Sequence, residues 1–196
     1  VIGRRRPVQG RRALAVSAQY NLPRYETLQP EYNLYDRAGY EAELEPLVHE
    51  QGLGVISYYS LASGFLTGKY RSADDASRSS ARGASVVQRY LNARGVRILA
   101  ALDDIAARHR ATPAQVALAW LLGRPGVASA VIGARTDEQL ADNLKAAELT
   151  LGADERTRLD EVSRPPLLYP YWHQANTASD RLSAADLVLI APHLKA

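Results

Sequence analysis

Three short β-rich segments, kept apart by stretches of 19 and 67 residues that read largely as helix, set the tightest limit on what this chain can fold into. Residues 27–34 (TLQPEYNL), 54–59 (GVISYY) and 127–132 (VASAVI) read as strands. Crossovers of that length are too long for hairpins, so the strands run parallel and the fold class is α/β. The helices between them are legible from apolar spacing and caps. Residues 13–20 form a short amphipathic stretch stopped by Asn21 and Pro23. Residues 41–51 place Leu44, Leu47 and Val48 on one face, with Gly52 as the stop. Residues 96–108 carry Ile98, Leu102, Ile105 and Ala106 on one face.

Thr112 and Pro113 then read as an N-cap and a first helical position. The following run, residues 116–122, is apolar on nearly all sides, which buries that helix and makes Trp120 a core residue. Thr136 caps a further helix with Gln139 in capping-box position, and Leu140, Leu144 and Ala147 give it a buried stripe. Ala153–Val162 is the last helix. Residues 71–85 are polar and read as a mobile surface loop.

Composition excludes several classes. With 196 residues, 46% hydrophobic and 23% charged, the chain is long enough and apolar enough for a globular core. It has no Cys, so a disulfide scaffold is excluded. No apolar run approaches the roughly 20 residues of a membrane helix, and no secretory signal opens the chain. A cytoplasmic location, away from any membrane, is expected. Metal-ligand spacing and a Gly-x-Ser-x-Gly elbow are both missing, which disfavours a metal site or a hydrolase.

Residues 1–12 hold five Arg and no acid against a net charge of +3 for the whole chain, so the remainder is net acidic. With no aromatic among those Arg, residues 1–12 read as a solvated basic leader, without nucleic-acid binding. The chain also has no Met, and the expectation is a fragment of a longer protein or a truncated reading.

In parallel α/β folds chemistry gathers where strands end and loops begin. Residues 29–33, 58–68 and 133–143 are those places. Gly133 and Ala134 entering a capped helix offer backbone N–H groups and a positive helix end for a phosphate, and Arg135 adds a permanent cation. Gln139 and Asn143, four apart, share a face from which they can hydrogen-bond a base edge. Residues 60–68 are rich in small residues, so backbone can approach a pyrophosphate, with Lys69 adding charge. Tyr58 offers a flat face for stacking. Strand alternation expects one of Tyr58 and Tyr59 to point into the core.

LQPEYNLYDR, GVISYYSLASGFLTGKYR and VIGARTDEQLADNL, in that order, resemble the aldo-keto reductases over roughly residues 19–163. ATPAQVALAWLL looks like that family's penultimate helix, and the nearest likeness is to the bacterial, potassium-channel β-subunit-like group. The resemblance implies a (β/α)8 TIM barrel that binds NADPH without a Rossmann domain and reduces aldehydes and ketones. This chain would supply the last three βα units as one partial NADP-dependent oxidoreductase domain over 1–196, with residues 164–196 as a tail. Carried over by position, Gln29 would hold the nicotinamide carboxamide and Tyr58 would stack on the ring. Tyr59, Ser60, Leu61, Ala62 and Ser63 would line the pyrophosphate, with Lys69 at the phosphates and Arg82 reaching in from the loop. Gly133, Arg135, Gln139, Asp142 and Asn143 would hold the adenosine end, Arg135 favouring NADP over NAD.

The family's catalytic Asp, Tyr, Lys and His come from the first half of the barrel and have no match here. The chain is therefore expected to carry the cofactor site without the acid–base groups and to be inactive alone. A small carbonyl substrate is expected only for the full-length enzyme. The alternatives are a non-catalytic nucleotide-binding or regulatory protein, or a truncated reading without independent function. Three strands cannot close a barrel, so self-association through open edges is expected. In the tail, Tyr169, Tyr171 and Trp172 are candidates for substrate contact or for anchoring the tail.

Overall fold

A computed structural model describes residues 7–78, 83–166 and 183. The chain divides into two compact units, residues 1–163 and 164–196. The expectations for Arg82 and for Tyr169, Tyr171 and Trp172 lie outside the described residues. In the first unit the element order is α1 (Pro7–Gln19), β1 (Thr27–Leu28), α2 (Ala38–Glu41), α3 (Glu45–Gln51), β2 (Gly54–Ser57), α4 (Gly83–Tyr90), α5 (Ala93–His109), α6 (Pro113–Leu122), β3 (Val127–Ala130), α7 (Asp137–Leu144) and α8 (Ala153–Val162). Short 3₁₀ segments occupy Ala62–Thr67, Ala73–Arg78 and Lys145–Ala147.

The three strands form one parallel sheet in the order β1-β2-β3, as the crossover lengths require. Thr27 pairs with Gly54 and Leu28 with Val55; on the other side Val55 pairs with Val127, and Ser57 with Ala130 after a bulge at Val55/Ile56. The strands are shorter than their β-rich segments. Pro30 has no N–H to give and ends β1 early, although its carbonyl still accepts from the Tyr58 N–H at 3.0 Å and Glu31 makes a parallel bridge to Tyr58. Tyr32, Asn33 and Leu34 continue as fully buried but irregular chain.

The core lies between the sheet and α5, α6 and α8, with Val55, Phe65, Ile98, Leu102, Ile105, Val116, Trp120 and Leu159 buried. Trp120 is 1% exposed, and its position in the core agrees with the apolar run around it. A polar staple surrounds it. The indole Nε1 donates to Asp160 Oδ1 at 3.0 Å, and the Arg37 and Arg124 guanidiniums each lie 5.3 Å from its ring centroid. Arg37, itself buried, also donates to Glu41 Oε1 at 2.8 Å and to Ser163 Oγ at 2.7 Å. Arg124 donates to Tyr32 Oη at 3.1 Å, and Tyr32 donates on to Glu41 at 2.9 Å. Both desolvation and the neighbouring Glu41 carboxylate push the Tyr32 phenol above its ordinary range, so it stays a donor.

Four expectations need correction. The first helix extends back to Pro7 rather than covering only residues 13–20, so Arg11 and Arg12 sit on it, both exposed; Arg11 pairs with Glu50 on α3, and Leu14 is buried. Residues 41–51 are not one helix. Glu41 ends α2, and α3 starts at Glu45 with Pro46 in its first turn. The described part of residues 71–85 is partly helical rather than all loop: a 3₁₀ segment spans Ala73–Arg78, Asp75 accepts from the Arg71 and Ser72 N–H groups at 2.7 and 2.8 Å, and α4 starts at Gly83.

The fourth concerns α7, whose apolar stripe is not buried. Leu140 and Leu144 are 43% and 59% exposed, and Ala147 is exposed as well. β3 is an edge strand, so nothing described lies beyond it for that stripe to pack against. Among the described residues, no helix is long and apolar enough to cross a membrane.

Candidate functional site

A cleft of about 740 Å³ opens at the carboxyl ends of β2 and β3. Its walls come from three stretches: residues 58–69 after β2, Thr112 and Ala114 at the start of α6, and residues 131–143 after β3. Parallel strands deliver their carboxyl ends to one side of a sheet, which is why sequence-distant loops meet here.

The loop after β2 is shaped by backbone conformations that L residues seldom adopt. Tyr59, Ala62 and Ser63 have φ of 55°, 49° and 55°, and Gly64 and Gly68 follow at 88° and 80°. Each non-glycine residue held there costs on the order of 1 kcal/mol and persists only when its surroundings enforce it. Those surroundings are visible. Ala62, Phe65 and Leu66 are fully buried beneath the loop. The Ala62 and Gly64 N–H groups donate to the Tyr59 and Leu61 carbonyls at 2.7 and 2.9 Å, and Thr67 Oγ1 donates to the Gly64 carbonyl at 2.8 Å.

The turn at Tyr59 is also why strand alternation fails at the tyrosine pair. Tyr58 is half-buried and Tyr59 is 45% exposed, with ring centroids 5.3 Å apart, so neither points into the core and both line the cleft. Asn33 holds the turn from below: its Nδ2 donates to the Tyr59 carbonyl at 3.0 Å while its Oδ1 accepts from the Tyr35 and Asp36 N–H groups.

Ser60 is buried, and its hydroxyl is committed. It donates to the Val131 carbonyl at 2.9 Å and lies 3.2 Å from Ser57 Oγ, tying the end of β2 to the end of β3. Lys69 lies over the face of Tyr70, 5.0 Å from its centroid, and its Nζ would be 3.2 Å from a Cβ built on Gly64. A side chain at Gly64 would displace that ammonium from the loop.

Across the cleft, Thr136 Oγ1 accepts from the Gln139 N–H at 3.3 Å, the expected cap. The Gln139 side chain does not return to Thr136 to complete the box; its Oε1 accepts from the Arg135 N–H at 3.0 Å. That bond shapes the Gly133–Arg135 turn and leaves the Arg135 guanidinium exposed at the rim. A Cβ at Gly133 would meet nothing within 4 Å, so the approach to this turn is open. Asn143 lines the cleft half-buried, one turn beyond Gln139. Both oxygens of Asp142, the carboxylate on the lining, are engaged by Thr112 and Gln115. The cleft therefore presents two cations, Lys69 and Arg135, together with the positive end of α6 at Ala114. An elongated polyanion with flat ends fits this arrangement.

Tyr58, Tyr59, Ser60, Leu61, Ser63, Lys69, Gly133, Arg135, Gln139, Asp142 and Asn143 all line this one cleft. Ala62 does not line it but underpins the loop, fully buried. Gln29 stands half-buried just after β1 and is not part of the lining. Gly64 and Ala134, read from the sequence as parts of the two small-residue turns, also line it, while Thr67, Thr112, Ala114, Val131 and Ile132 complete the walls and were not singled out from the sequence as site residues. Thr112 carried a signal as an N-cap beside Pro113, but only the topology brings that cap to the cleft. Among the described residues, no cluster of three or more His, Cys, Asp or Glu could hold a metal ion.

Comparison with known proteins gives a consistent result. A model of the Aldo/keto reductase family matches residues 18–164. Protein tas of Escherichia coli (strain K12) is 35% identical over 153 residues, 77% of this chain and 43% of its own length. The putative voltage-gated potassium channel subunit beta of Schizosaccharomyces pombe is 34% identical over 153 residues, 75% of this chain and 44% of that protein. An uncharacterized oxidoreductase of Bacillus subtilis, YrpG, is 32% identical over 140 residues, 71% and 41% of the two chains. The chain thus spans less than half the length of these relatives.

Proposed function

Because the chain belongs to the aldo/keto reductase family, we propose that it is the NADP(H)-holding part of an oxidoreductase, built as the last three βα units of a (β/α)8 barrel. The observation that carries this reading is the pairing of a left-handed backbone loop, bearing Lys69, with the Arg135 turn across one cleft. Loop amides and Lys69 suit a pyrophosphate, and the exposed Arg135 guanidinium suits a sugar 2′-phosphate. Tyr58, on the cleft lining, is assigned to stack on the nicotinamide ring, with Gln29 assigned to its carboxamide. Gln139 and Asn143 are assigned to the adenine edge. When bound, the cofactor supplies a hydride for carbonyl reduction.

The chain's own residues bind and orient. None of the described side chains is assigned an acid–base role. Lys69 is turned over the Tyr70 ring, and His49 and His109 pair with Glu45 and Glu155 at 3.8 and 2.9 Å. The chain by itself is proposed to bind NADPH without turning over a carbonyl substrate, which belongs to the full-length enzyme.

Fluorescence titration of the purified chain with NADPH tests this. Saturable binding is expected, about tenfold weaker in Arg135→Ala, the size of one lost charge-assisted contact. Tyr58→Ala is expected to weaken it as well. Binding insensitive to both changes would contradict the assignment.

A further inference from the structure

Asp36 lies in the irregular chain after β1 and is not part of the cleft lining, yet three polar side chains converge on it. Its Oδ2 accepts from Asn33 Nδ2 at 3.2 Å and from the Tyr90 hydroxyl at 2.9 Å. Its Oδ1 accepts from Arg89 Nη2 at 3.0 Å, which also donates to Glu31 Oε1 at 3.1 Å. Arg89 and Tyr90 are the last two residues of α4. Asn33 is fully buried and its amide is used on both sides. The second Nδ2 hydrogen goes to the Tyr59 carbonyl at 3.0 Å, and Oδ1 accepts from the Tyr35 and Asp36 N–H groups, both at 2.8 Å. With oxygens facing Nδ2 and N–H groups facing Oδ1, the amide has one orientation.

The end of α4 meets the loop after β2 a second time. The Tyr90 ring stacks on Phe65 with centroids 5.5 Å apart, and Tyr35 stands edge-on to both rings at 4.9 and 6.3 Å. Tyr90 therefore reaches the loop at two points, by its ring at Phe65 and by its hydroxyl, through Asp36 and Asn33, at Tyr59. Between those points lie Ala62 and Ser63, which share with Tyr59 a φ in the left-handed region. Such conformations persist only where the surroundings enforce them.

We infer that Asp36 is a positioning residue: acting through Asn33, it couples the end of α4 to the left-handed turn at Tyr59 and keeps the nucleotide-binding loop formed before the nucleotide arrives. The inference rests on the nucleotide reading of the cleft and goes beyond it, because Asn33, Asp36, Arg89 and Tyr90 are not assigned to the nucleotide. Removing the carboxylate leaves an Asn33 amide hydrogen and the Tyr90 hydroxyl without their acceptor in a poorly hydrated place. The turn is then formed in only a fraction of the chains, and the apparent affinity falls by that fraction. The loss lies in association, because the complex, once made, keeps every contact to the ligand.

The test is stopped-flow fluorescence with NADPH on the full chain and on Asp36→Ala, Asp36→Asn, Tyr90→Phe, Asn33→Ala and the Asn33→Ala/Asp36→Ala double variant. Asp36→Ala is expected to weaken binding about tenfold, with the association rate lowered and the dissociation rate within about twofold of wild type. Asp36→Asn keeps an oxygen for Asn33 and Tyr90 and is expected to restore most of that loss. The double variant is expected to bind no worse than Asn33→Ala, because Asp36 acts through Asn33.

Folded Asp36→Ala with wild-type rates, whatever its thermal midpoint, would reduce Asp36 to a structural role and overturn the inference. A loss carried by faster dissociation would make Asp36 a ligand contact and overturn it too. So would an Asp36→Ala loss that stays the same size in the Asn33→Ala background. Should Asp36→Ala not fold, Tyr90→Phe, which removes one oxygen, is judged in its place, with about a threefold loss in association expected and an unchanged rate contradicting the brace. Wild-type chain that is folded yet binds no NADPH overturns the nucleotide reading itself. In that case amide hydrogen exchange over residues 59–64 judges the brace alone: faster exchange in Tyr90→Phe upholds it, and unchanged exchange removes it.

Discussion

Ser60 Oγ donates to the Val131 carbonyl at 2.9 Å, joining two residues 71 positions apart at the point where β2 and β3 both end. One buried hydroxyl thus spans the base of the cleft and fixes how its two walls meet. Ser60→Ala leaves the Val131 carbonyl short of a donor and is expected to cost ~1–2 kcal/mol of stability. Urea denaturation of the two proteins checks the figure. A change below ~0.3 kcal/mol would mean that solvent replaces the hydroxyl without penalty.

Arg37 is buried among Glu41, Asp160 and Ser163, against the Trp120 ring. Arg37→Met removes the cation and leaves two carboxylates with fewer partners in a poorly hydrated place. A loss of ~3 kcal/mol is expected, the usual cost of breaking such a pair from one side. Loss of the cooperative thermal transition would be the extreme form of this result, and a midpoint equal to wild type would contradict it.

The Glu155 carboxyl is buried, which alone would raise its pKa. The Gly152 N–H at 2.9 Å and the His109 ring outweigh that and hold it below the ordinary glutamate value. The folded state therefore binds this proton less readily than the unfolded chain. Its stabilising contribution is present above the ordinary glutamate pKa and is lost as the pH falls through the lowered folded value. Denaturation across an acid pH series is expected to show a steeper decline for wild type than for Glu155→Gln, whose curve lacks this step. Parallel curves would rule the pair out as an acid-sensitive contact.

Leu140 and Leu144 are exposed on α7 beside the edge strand β3. Replacing both with Lys removes no buried contact, so stability is expected to change by less than ~0.5 kcal/mol. The apolar patch is also the expected route of self-association. Light scattering coupled to size exclusion should show a smaller average mass for the double variant at the same concentration. An unchanged mass distribution would place association elsewhere.

What was legible in the sequence was local. The Thr112 cap with Pro113 at the first helical turn, the Thr136 cap and the bounds of α8 all depend on residues within four positions of one another. That the strands run parallel followed from crossover length alone. What was not legible depends on distant neighbours. The Gln115–Asp142 contact joins positions 27 apart, and nothing in either residue's surroundings announces it. Alternation mispredicted the tyrosine pair because the left-handed turn at Tyr59 breaks the strand period, a conformation no non-glycine residue advertises. The α7 stripe has the spacing of a buried face. Periodicity records what a helix can pack against, and no described residue supplies that surface.

The most direct measurement is a hydrogen-exchange footprint of NADPH on the full chain. Protection is expected in two separate stretches, residues 58–69 and 131–143, with little change in α8, and Arg135→Ala should lose the protection in the second stretch first. Protection confined to other regions, or none from folded chain at saturating NADPH, would contradict the claim that this cleft holds the cofactor.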